Sequence, residues 1–190
     1  MDYYAGQWQG HKIIVINGDN EKLLLDGAVV AETKPGLRFA SVLQAELPGT
    51  NGLFLYAMLS STHSCYCIVG KPLKAEYDKS TRTFSAEYNG HTIEAVNKMK
   101  PKLILDGTQV DEDDNQLRDF VILGTGADEN GKRFMSVHDA ATGGLKVKCD
   151  LYAEAENVRM IRCERVGGEL VPKQADDSSS FITGFIIGSL

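Results

Sequence analysis

A chain of 190 residues that is 43% hydrophobic and 24% charged is long and apolar enough to bury a core unaided, which excludes a disordered tail or a collagen-like fibre. Its 26 acidic and 20 basic side chains give a formal net charge of −6, so the Lys/Arg surplus that a phosphate backbone demands is missing and no nucleic-acid partner is expected. The opening MDYYAGQWQGHK lacks the basic-then-apolar pattern of an export signal, and no apolar stretch approaches the ~20 residues of a membrane-spanning helix, so the expectation is a cytoplasmic protein.

The chain repeats itself. The segment Gly10 to Glu32 recurs as Gly90 to Glu112 at a constant offset of 80 without a gap, with His11/His91, Ile13/Ile93, Asn17/Asn97, Leu23/Leu103, Leu25/Leu105, Asp26/Asp106, Gly27/Gly107 and Val30/Val110 among the identities. Two copies are expected, 1–80 and 81–166, followed by a polar linker, 167–180, and an apolar C-terminal segment, 181–190. In chain order, Gln9-Gly10 is a weak hairpin turn, and Leu23–Leu25 and Ala28–Val30 flank a second turn at Asp26-Gly27. Arg38–Leu47 is the best helical candidate but reads equally well as a strand. Asn51-Gly52 then precedes an apolar strand, Leu53–Leu59. In the second copy, Thr83–Tyr88 and His91–Val96 flank Asn89-Gly90, the strongest short hairpin signal, because both central residues of a type I′ turn need positive φ. Leu103–Leu105 precedes Asp106-Gly107, Asn130-Gly131 precedes Arg133–Val137, and Leu145–Leu151 alternates apolar with charged residues. The fold expected is all-β: two tandem antiparallel meanders, related by a pseudo-twofold axis, each folded into a sandwich or small barrel.

Chemistry is sparse. His11 and His91 stand directly after equivalent turns, where a pair of imidazoles could bind a ligand or a metal; the plainer reading is that each begins a strand and bonds a neighbouring loop. His63, Cys65 and Cys67 place three candidate metal ligands in five residues. Residues two apart on a strand lie ~7 Å apart, however, farther than thiolates on one tetrahedral zinc, and Cys149 sits on an apolar face, so no metal or other cofactor is expected. Four cysteines form no disulfide framework. Asp111–Asn115 resembles the start of a calcium loop but has Gln116 and Ile122 where that loop needs glycine and glutamate. Phosphate-loop, nucleophile-elbow and zinc-helix signatures are lacking, and Gly124-Thr125-Gly126 is too short for a dinucleotide fingerprint.

The pattern G-H-x-I followed by L-x-L-D-G-x-x-V-x-E, held by both copies, resembles short bacterial β-domains of uncharacterised role. More distantly it is similar to the Fas apoptotic inhibitory molecule family, a resemblance that implies a non-catalytic β-sandwich. The leading expectation is a non-enzymatic protein that binds a protein partner or itself. Its contacts would be sheet edges, exposed aromatics near Tyr3, Tyr4 and Trp8, and the apolar segment with Phe181, Phe185 and Ile186. Two alternatives stand beside it: an enzyme or small-ligand binder with a pocket between the repeats near His11 and His91, and a peripheral membrane or assembly factor held by residues 181–190.

Overall fold

Tight turns set the local structure. In a computed structural model of the chain, which describes residues 2–34, 42–59, 65–113, 120–139, 148–155 and 161–166, Gln9 and Gly10 both take positive φ, 43° and 79°. They join β1 (Asp2–Trp8) to β2 (His11–Asn17). Asp26 and Gly27, at 49° and 86°, join β3 (Glu21–Leu25) to β4 (Ala28–Glu32). Two consecutive positive φ values give the type I′ turn, whose twist matches that of the flanking strands. Gln9 adopts it despite its Cβ.

The chain continues through β5 (Val42–Glu46), β6 (Phe54–Leu59), β7 (Cys65–Leu73) and β8 (Glu76–Asp78). Then come β9 (Thr83–Tyr88), β10 (His91–Val96), β11 (Lys102–Leu105) and β12 (Thr108–Glu112). Last are β13 (Phe120–Gly124), β14 (Phe134–Asp139), β15 (Lys148–Ala153) and β16 (Ile161–Val166). All pairing registers are antiparallel, and no helix occurs among the described residues. The segment that could have been helical, Arg38–Leu47, contains β5, and its first part lies outside the described residues.

β9–β12 reproduce β1–β4 closely. The pairs Trp8↔His11 and Tyr88↔His91 close the first hairpins, and Leu25↔Ala28 and Leu105↔Thr108 close the second. A bulge falls at Leu23/Leu24 and at Leu103/Ile104, the same place in each.

The chain forms two compact units. One takes β1–β5, β6 from Leu55, β7 through Ile68, and β16; the other takes Val69 onward of β7 and β8–β15. In the first, strands run β5-β6-β7-β16-β1-β2-β3-β4. In the second, they run β13-β14-β15-β7 in one sheet and β8-β9-β10-β11-β12 in another. The limits of the units therefore do not fall at residue 80. β16 covers the outer edge of β1, with Tyr3↔Val166 and Ala5↔Glu164, while β8 covers that of β9, with Tyr77↔Phe84. Each meander has its first strand completed by the end of the other sequence copy.

Neither order closes on itself among the described strands, so the sheets are open and not barrels. In the second unit Ile93, Ala95 and Leu103 from one sheet share a core with Val121, Leu123, Phe134, Leu151 and Ala153 from the other, a sandwich. Full burial of each large side chain contributes about 1.5–3 kcal/mol. Gly70 lets β7 pass close to β15: a Cβ there would stand 3.1 Å from Cβ of Tyr152.

This routing makes a prediction. Pieces 1–80 and 81–190, co-expressed with the chain cut in the exposed β8–β9 turn, should co-elute as one folded species, because each piece supplies the other's missing strand. Independent, separately eluting folded pieces would contradict the exchange.

Candidate functional site

His11 and His91 both begin the second strand of a meander, and each is claimed by the aspartate of the following turn. His11 Nδ1 lies 2.7 Å from Asp26 Oδ2, and Asp26 Oδ1 accepts from the Lys12 backbone N–H at 2.8 Å. His91 Nδ1, Asp106 Oδ2, Asp106 Oδ1 and the Thr92 N–H repeat the arrangement at 2.7 and 2.8 Å. The G-H-x-I and L-x-L-D-G patterns are thus two halves of one clamp, an αL aspartate tying its turn to the start of an earlier strand. Trp8 stacks on His11 with ring centroids 5.8 Å apart. Trp8 and Tyr4 are buried, which corrects the expectation that they are exposed contact aromatics.

The second clamp carries more charge. His91 Nε2 also lies 2.9 Å from Oδ2 of Asp128, a nearly buried carboxylate whose Oδ1 accepts from the Asn130 and Lys132 backbone N–H groups. The ring tilts against Phe134 at 5.4 Å. The hydrogen bond to Asp106 holds the His91 pKa above its usual 6.5, with Asp128 and Glu129 adding to it and desolvation opposing. The same hydrogen bond depresses Asp106. Beside it, Tyr88 donates to Glu154, which also takes Lys132 Nζ at 2.8 Å. Burial, followed by the Glu154 carboxylate, pushes the Tyr88 hydroxyl up to about 12.

A buried polar network absent from the sequence reading lies in the second unit. His138 is fully buried, with Nδ1 3.1 Å from Asn97 Oδ1 and Nε2 3.0 Å from Ser136 Oγ. Because an amide oxygen only accepts, Nδ1 carries a proton toward Asn97, while the Ser136 hydroxyl stands at Nε2. The connectivity is that of a Ser–His–Asn relay, but Ser136 and Asn97 are as buried as the imidazole, so the hydroxyl meets no substrate. The network satisfies a buried asparagine. In the first copy β6 (Phe54–Leu59) carries no histidine, and Asn17 Oδ1 there is buried with no hydrogen-bond partner among the described residues.

The cysteines correct the spacing argument. Cys65, Cys67 and Cys163 are all buried in the first unit, and their sulfurs all lie within 4.8 Å of one another. The ~7 Å separation applies to Cα atoms two apart on a strand, and side-chain rotation brings the sulfurs closer. Cys163, from β16, was the member that sequence alone did not supply. Sequence neighbours on β7 said nothing of a strand 96 positions away. His63, Phe181, Phe185, Ile186, the linker and the apolar segment lie outside the described residues. Among the described residues no helix is long and apolar enough to cross a membrane. Comparison with family models, with curated proteins and with solved structures finds no match.

Two predictions follow from the histidines. A pKa raised by folding stabilises fully below the unfolded value of ~6.5 and is lost as pH rises through the folded value. The wild type should therefore lose stability relative to His91→Gln as pH rises above about 6.5, and the His91 ring resonance should titrate above 6.5, dropping in Asp106→Asn. Parallel urea midpoints across this range would exclude the coupling. His138→Met should cost about 1–3 kcal/mol by removing the imidazole hydrogen bonds to Asn97 Oδ1 and Ser136 Oγ inside the core. Equilibrium unfolding reads this, and an unchanged midpoint would show the network to be neutral.

Proposed function

We propose that the chain is a non-catalytic binding module that takes an extended protein segment along the free edge of β4. The carrying observation is the exposure of Val29 (52%) and Val30 (39%), consecutive residues on a strand whose one ladder partner among the described strands is β3. Val30 is the extra residue of the bulge opposite Leu23 and Leu24, so the pleat is interrupted there and both valines are left in solvent. An unpaired edge offers backbone donors and acceptors to a further strand, and proteins normally guard such edges with lysine, proline or bulges. β4 has a bulge at Val30 but neither lysine nor proline, and its apolar middle suits addition of an extended peptide whose side chains sit against Val29 and Val30.

The polar groups support the same reading. His11 and His91 are each held by a turn carboxylate, and the one imidazole paired with a hydroxyl is buried. A reactive group with its lone pairs committed inside the fold supports binding over turnover.

Val29→Lys with Val30→Lys should leave the circular dichroism and melting midpoint nearly unchanged, because exposed substitutions shift stability by about 0.5 kcal/mol or less. The same variant should abolish binding of extended peptides selected on the wild type, and those peptides should slow amide exchange within Ala28–Glu32. Peptides that bind the double variant equally well, or protect other strands only, would overturn the reading.

A further inference from the structure

The first unit contains a cluster of side chains that its fold does not require. β7 lies against β16 with Cys65 opposite Cys163 and Cys67 opposite Ile161. In the second unit β15 lies against the end of β7 in the same manner, with Leu151 opposite Leu73 and Ala153 opposite Lys71. Laid over one another in order, the two ladders set Cys65, Cys67 and Cys163 beside Leu151, Ala153 and the half-buried Leu73 of the other unit. The same strand pairing is built there from aliphatic residues. A sheet core that packs with leucine and alanine has no need of three thiols at these places.

We propose that Cys65, Cys67 and Cys163 form a three-thiolate site for a soft closed-shell cation, Cu(I) or Zn(II). The sulfurs all lie within 4.8 Å of one another, with Cys67 and Cys163 at 3.5 Å. Bonds of ~2.3 Å from a central ion set tetrahedral or trigonal sulfurs ~3.8–4.0 Å apart, so the cluster closes on an ion through small side-chain rotations. Thiolate donors select Cu(I) and Zn(II) over hard cations. None of the three is in a disulfide.

Protonation couples to loading. The adjacent Cys163 thiol, followed by burial and the buried Glu21 carboxylate, holds the Cys65 thiol well above its ordinary value. Cys163, Cys65 and burial do the same for Cys67. Loading exchanges three S–H protons, released to solvent, for three sulfur–metal bonds, and binding must weaken as pH falls.

The test uses the full chain, reduced and stripped of metal, titrated separately with Cu(I) under a competing chelator and with Zn(II), with Co(II) as a spectroscopic stand-in. One ion per chain is expected, with sulfur-to-metal charge-transfer absorption. The triple variant Cys65→Leu, Cys67→Ala, Cys163→Leu takes the residues that the second unit uses at these positions, and it should fold and bind neither ion. A second measurement does not depend on any variant. In the wild type, with free ion at ten times Kd, alkylation of Cys65, Cys67 and Cys163 should slow about tenfold, while that of Cys149 in the second unit stays unchanged. Binding of neither ion, equal protection of Cys149, or a folded triple variant that still loads would each overturn the site and leave three packing thiols.

Discussion

A four-stranded meander cannot bury its first strand alone: one edge of that strand has no hydrogen-bond partner until another segment arrives. Here the buried Tyr4 sits on β1, whose outer edge is covered by β16, more than 150 positions later in sequence. The half-buried Phe84 sits on β9, covered by β8, which is its neighbour in sequence but the last strand of the preceding copy. Everything else in the fold depends on these two edge pairings. An unpaired strand edge exposes backbone donors and acceptors, and leaving such groups buried costs about 1–3 kcal/mol each. The end of each sequence copy serves the other, so a unit of folding and a unit of sequence repetition are different objects in this chain.

That difference explains what could be read in advance. β9 and β10 have the limits read from Thr83–Tyr88 and His91–Val96 because the signal is local: Asn89-Gly90 permits two consecutive positive φ values, and few other residue pairs do. The bulges after Leu23 and Leu103 were not legible, although the repeat made their recurrence certain once one was seen. The position of β16 was not legible at all. Nothing in the sequence Ile161–Val166 specifies which edge it covers, since any apolar-alternating strand of that length satisfies an open edge. With β16 unplaced, Cys163 could not be set beside Cys65 and Cys67, and the local Cα spacing gave the wrong answer about their sulfurs.

The histidines illustrate the opposite case. His11 and His91 attracted attention because they repeat, yet repetition marks whatever the fold needs twice. Each clamp ties an αL aspartate to a strand start, and the left-handed backbone at Asp26 and Asp106 costs something that the paired hydrogen bonds offset. A carboxylate satisfied by one imidazole nitrogen and one backbone N–H is a structural element of the turn. His138 does not repeat, since β6 of the other copy carries no histidine, and repetition therefore gives no sign of it.

Two copies of one fold inside a single chain act as controls for each other. Where both hold the same residue at the same pairing position, as at the turn clamps, the fold is a sufficient cause. Where they differ at a buried position, the fold has shown that it accepts either residue, and the reason for the difference must lie elsewhere. His138, with no histidine to match it in β6, is accounted for by Asn97, whose amide oxygen gains a donor that Asn17 lacks. Three sulfurs against the buried Leu151 and Ala153 and the half-buried Leu73 have no such account in packing, because apolar side chains serve the matching ladder with less polar surface to bury. Three independent departures converging within 4.8 Å are more than a core requires, and convergence of donor atoms is what a bound ion requires.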